Sequence, residues 1–81
     1  IMGLVKIICV TEPDISYTRN KKLNVGEHYW GEYQEADLGK YGNTRIYDVY
    51  NQDKIKQGQY FAIDFQTIEE YRDKRLADLL Q

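Results

Sequence analysis

Few side chains in this sequence are equipped for covalent or acid–base chemistry. The chain has one cysteine, Cys9, one histidine, His28, and one serine, Ser16. A Ser–His–acid triad would have to join Ser16 to His28, and nothing around Ser16 has the spacing of a nucleophile elbow. A Cys9–His28 pair fares no better. Cys9 sits among Val5, Ile7, Ile8 and Val10, where burial disfavours the thiolate and a free cysteine behaves as a small core hydrophobe. One cysteine and one histidine cannot build a disulfide framework or a Cys/His zinc site within the chain. Gly39-Lys40-Tyr41-Gly42 lacks the strand–loop–helix setting of a phosphate-binding loop. The thirteen acidic residues read as solvated surface, where carboxylates normally lie. The expectation is a protein that is not an enzyme, with no catalytic residue, no metal and no other cofactor.

The elements that would carry any binding residues follow from patterning. Eighty-one residues make one domain with a thin core. Eight tyrosines suit such a core, because a large ring is buried while its hydroxyl reaches water or a partner. Leu4–Val10 is dense in branched residues and reads as a strand, ended by Pro13. Residues 14–24 form a polar loop. His28–Gln34, Thr44–Tyr50 and Gln59–Phe65 read as three further strands, with a turn near Gly39 and Gly42 and a long polar connection from Asn51 to Gly58. After Phe65 the period changes. Ile68, Tyr71, Leu76, Leu79 and Leu80 recur at helical spacing, and Thr67 with Glu70 forms a capping box. The domain spans 2–81, strands to residue 66 and helix over 67–80. Met2 is read as the natural start. No run approaches a membrane span or a secretory signal, so a cytoplasmic protein is expected.

Leu23-Asn24-Val25-Gly26-Glu27-His28-Tyr29 and the closing segment Phe65-Gln66-Thr67-Ile68-Glu69-Glu70-Tyr71-Arg72-Asp73-Lys74-Arg75-Leu76 resemble the second-strand entry and the last segment of Src-homology-3-like small β-barrels. These are proteins of uncharacterised function from phages, prophages and Gram-positive bacteria. The resemblance implies a mainly β fold, a small barrel of four to five antiparallel strands with one C-terminal α-helix, and phage or prophage origin. It departs from the family at Asn51–Gly58, where a short Asp-Gly-type turn is usual.

Strand alternation then sorts the aromatic residues. Tyr29 and Tyr33 face the core, leaving His28, Trp30 and Glu32 outside. Tyr47 and Val49 face inward, because Asp48 should not be buried unpaired. Phe61, Ile63 and Phe65 form the inward set of the last strand. Trp30, Ile46, Tyr50 and Tyr60 are thereby placed together on an outer face, as an aromatic patch flanked by acidic residues. Tryptophan and tyrosine are enriched at interface hot spots, so a protein-interaction module engaging a host or phage protein is expected. The competing structural explanation is that the C-terminal helix covers this face. A second function is single-stranded nucleic-acid binding through Tyr17, Arg19, Lys21 and Lys22, which combine a stacking ring with cations. The net charge of −2 opposes it, so nucleic acid is the less favoured partner. Self-association into a homodimer is a third expectation.

Overall fold

The computed structural model describes residues 3–14, 20–37 and 39–80. Tyr17 and Arg19 of the proposed nucleic-acid loop lie outside them, as does Ser16. The strands are β1 (Leu4–Cys9), β2 (His28–Asp37), β3 (Asn43–Tyr50), β4 (Lys56–Phe61) and β5 (Phe65–Thr67), followed by helix α1 (Ile68–Leu79). Short 3-10 turns occupy Gly39–Tyr41 and Ala62–Asp64. All five strands belong to one antiparallel sheet in the order β4-β3-β2-β1-β5. The mainly β expectation with a closing helix is therefore met. The sheet is open, however: among the described residues no ladder joins β4 to β5.

It is nevertheless strongly curled. In a flat sheet β4 and β5 would lie four strand spacings apart, roughly 19 Å. Only Ala62, Ile63 and Asp64 separate them in sequence, and a 3-10 turn of that length advances about 6 Å. Joining opposite edges so briefly bends the sheet around its contents. The concave side holds the core: Ile7, Cys9, Leu23, Tyr29, Tyr47, Val49, Tyr60 and Phe65. Gly31 lies at the tightest point. A Cβ built there would stand 2.6 Å from Ile7 Cδ1 and 2.8 Å from Tyr47 Cδ1, so only a bare backbone admits both side chains.

The faces read for β2 and β3 hold for Tyr29, Tyr47 and Val49, which are buried inside, but Tyr33, expected in the core, is 46% exposed. That of β4 is reversed. Tyr60 is 2% exposed in the core, while Ile63 is 86% exposed in the 3-10 turn. One local feature shifts the phase: the turn, which ends β4 at Phe61, so that Tyr60 pairs with inward-facing Tyr47. Tyr60 is thus removed from the outer face, and Phe61, opposite Ile46, takes that side of β4. Ile46 does lie on the convex side, but it is buried at 3% exposure. The β3–β4 connection is also shorter than expected, Asn51–Ile55. The Asn51 side chain accepts from the backbone N–H of Asp53 and of Ile55, closing a turn whose Lys54 has φ 63°.

Loop residues 20–24 pack across the concave side without disulfide help. The Tyr60 hydroxyl donates to Lys21 O, and the Tyr29 hydroxyl accepts from Asn24 N and donates to Glu27. Asn20 exchanges both hydrogen bonds with the Gln59 backbone, and Lys21 N donates to Gln57 O. The outer edge of β4 is therefore covered, as exposed strand edges usually must be. Gly58 makes room: a Cβ on it would run into the Asn20 side chain. Helix α1 begins as expected, with Thr67 and Glu70 completing the capping box.

Burial pushes the Cys9 thiol from 9.0 up to about 11 and the Tyr60 phenol from 10.0 up to about 12. In both, loss of hydration is the largest cause, with nearby negative charge adding to it. Between the two values of each group the unfolded chain has released its proton and the folded chain has not, so folding loses free energy as pH rises. The contribution of these two groups should be constant below about pH 9, so urea melts should show stability falling from there through about pH 12, and Cys9→Ala should flatten the lower part of that decline. Gly31→Ala should destabilise by about 1–3 kcal/mol through overpacking. An unchanged urea midpoint would contradict the close approach at Gly31.

Candidate functional site

Cys9 and His28 cannot cooperate. Cys9 points into the concave core and is 1% exposed, whereas His28 pairs with Ile8 in the β1–β2 ladder and stands on the opposite face. The thiol donates to Thr11 O and stays protonated at neutral pH. Among the described residues, no group of three or more His, Cys, Asp and Glu side chains converges to hold a metal ion.

The convex face carries what remains of the expected patch. Lys6, Trp30, Tyr50 and Lys56 are successive register partners on β1, β2, β3 and β4, so they form one row across four strands. Trp30 and Tyr50 are half-buried. The Lys6 ammonium lies 5.2 Å from the indole centroid and that of Lys54 lies 5.5 Å from it, both within cation–π range. The charges nearest the indole are thus cationic, not acidic as expected. Carboxylates occupy the next row, where Glu32 pairs with Asp48. Asp48 is 6% exposed but not alone: Gln34 Nε2 donates to its Oδ2 at 2.6 Å, and Lys56 Nζ lies 3.8 Å from its Oδ1. The same Gln34 nitrogen also reaches Glu32 at 3.0 Å. The carboxylate row is therefore tied down beside the aromatic one.

Two residues before Trp30 on the same face, His28 extends the surface toward α1. A groove of about 440 Å³ runs between His28 and Ile68, Tyr71, Arg72, Arg75 and Leu79. Arg75 lies 5.8 Å from the Tyr71 ring centroid. No residue of α1 is buried. Leu76, Leu79 and Leu80 are 58%, 77% and 79% exposed, a concentration of apolar surface of the kind that marks contact sites. The helix therefore adjoins the patch through His28 without sealing Trp30 and Tyr50.

Of the four residues expected to bind a partner, the structure brings Trp30 and Tyr50 together, buries Ile46 nearby and places Tyr60 in the core. Lys21 and Lys22 are exposed, and the Lys21 backbone is bonded to Gln57, next to Lys56. Sequence reasoning missed Lys6 and Lys54, whose proximity to Trp30 depends on register and on the turn at Asn51. It also missed Arg72 and Arg75, although both share a helical stripe with Ile68 and Leu79. Comparison with known proteins adds no name to this surface: no family model, no curated protein and no solved structure matches the chain.

Tyr60→Ala should cost about 3–5 kcal/mol, as for other buried aromatic truncations. Trp30→Ala, at a half-exposed position, should cost less than about 2 kcal/mol. Denaturant melts of the two variants check this, and an equal loss would place Trp30 inside the fold.

Proposed function

We propose that this chain is a non-enzymatic protein-interaction module that engages an acidic, partly apolar segment of a partner along its convex face. What carries the reading is the row of Trp30 and Tyr50 between Lys6, Lys54 and Lys56. Half-buried aromatic rings supply affinity when a partner completes their desolvation, and flanking cations select and orient an acidic partner. The groove beside α1 prolongs the same character, adding Arg72 and Arg75 to exposed leucines.

The small-barrel reading of the fold belongs to the same proposal, as do the phage or prophage origin and the cytoplasmic setting. Support for the barrel is the short link between β4 and β5, which curls the sheet nearly onto itself. Origin rests on the sequence resemblance, and the cytoplasmic setting on the lone cysteine and the sequence's lack of an apolar span or secretory pattern. No helix is long and apolar enough to cross a membrane among the described residues.

A second reading, single-stranded nucleic-acid binding, draws support from the same row, since bases stack on aromatic rings between cations. Exposed Lys21 and Lys22 along the β4 edge add to it. Against it stand Glu32 and Asp48 one row away and the net charge of −2.

Selection from a displayed peptide library separates the readings. The enriched peptides should be acidic and aromatic or aliphatic, should lose affinity with added salt, and should bind the Trp30→Ala/Tyr50→Ala variant at least about tenfold more weakly. Retained affinity in the folded double variant would remove this face from the proposal. Tight binding of oligonucleotides at low salt, abolished by the same variant, would favour the second reading.

A further inference from the structure

The opposite, concave side opens at one end into a second cleft, of about 650 Å³, a size common for small-molecule sites. Its floor is aromatic. Tyr33 meets Tyr47 edge-to-face at 5.6 Å, and Tyr47 meets Phe65 likewise at 5.9 Å. Tyr47 and Phe65 are buried, but Tyr33 is 46% exposed, so the ring series runs from the core out to the mouth. Ala62 and Ile63 of the 3-10 turn form the far wall, and Arg45 and Glu70 stand on the rim.

The two rim charges are not equivalent. Glu70 already works for the helix, accepting from Thr67 N as half of the capping box. The Arg45 guanidinium has no hydrogen bond or ion pair with any described residue, not even with the carboxylate of Glu35, its register partner on β2. A planar guanidinium beside an aromatic floor suits an anion attached to a flat ring, and a carboxylate matches its fork bidentately. Arg45 is the only cation among the described residues that line the cleft, which makes it the seat of that carboxylate.

The geometry points to a binding site for a small aromatic carboxylate, its ring on Tyr47 and Phe65 under Tyr33 and its carboxylate on Arg45. This site lies on the face opposite the Trp30 row and does not depend on the partner-binding proposal. Binding needs no covalent step and no cofactor.

An NMR titration of the full chain with phenylacetate tests it, with the neutral phenylacetamide as control. Saturable shifts are expected at the backbone amides of residues 43–47 and 61–65, and not at Trp30. Phenylacetamide should bind about tenfold more weakly, and Arg45→Gln should weaken phenylacetate by about the same factor, the loss expected for one charge-assisted contact. Arg45→Lys should recover part of it, and the dispersion of each spectrum reports that the variant is folded. Equal affinity for acid and amide would overturn the proposal, as would shifts confined to the Trp30 face. So would binding only of peptides ending in a free aromatic residue, with phenylacetate inert.

Discussion

The structure depends on one constraint: β4 and β5 lie at opposite edges of the sheet and are joined by three residues, Ala62–Asp64. A twisted sheet satisfies so short a link only by coiling. Coiling gives the two faces different jobs. The concave face closes on Ile7, Val49, Tyr47, Tyr60 and Phe65, and the crowding at Gly31 is its direct result. The convex face is splayed, and a small domain has too little chain to cover it. Trp30 and Tyr50 therefore remain half-buried although they belong to interior strands, β2 and β3.

Tyrosine makes this economy work. The rings of Tyr29 and Tyr60 fill the core, while their hydroxyls reach out to hold residues 21 and 24 of the covering loop. A net contribution of about 1 kcal/mol is typical of each such hydrogen bond, which matters in a domain with few layers. The same loop covers the β4 edge through Asn20, so a single segment closes the core and blocks edge-to-edge pairing. A phenylalanine at either position would fill the same volume and leave the loop without its anchor.

How much of this was legible in the sequence varied by strand. In β2 and β3 apolar residues stand side by side at Tyr29–Trp30, Ile46–Tyr47 and Val49–Tyr50, so alternation alone left the faces open, and Asp48 set the phase of β3. The helix start was equally plain, because Thr67 and Glu70 carry their meaning locally. In β4 the apolar positions Phe61, Ile63 and Phe65 alternate convincingly, and yet they do not share a strand. The 3-10 turn takes the middle of that series, and no local pattern distinguishes it from an extended run. Tyr60 and Phe61 exchanged sides as a consequence. Tertiary closure, not propensity, decided that stretch. The cations around Trp30 were hidden for a related reason: Lys6 and Lys54 are distant in sequence and meet the indole only through register and the Asn51 turn.

The two faces also differ in how their charges can act. Around Trp30 the lysines are at the surface, where screening keeps each pair interaction small, typically below about 1 kcal/mol. They serve orientation and encounter, and the rings must supply the affinity. Asp48 shows why the row is stable nonetheless. Its carboxylate is buried on that same face, and Gln34 and Lys56 compensate its lost hydration. Lys56 is consequently committed to Asp48, whereas among the described residues the ammoniums of Lys6 and Lys54 contact only the indole. An acidic group arriving at Trp30 would draw on those two ammoniums without disturbing the Asp48 cluster, so recognition and folding use different charges on one surface.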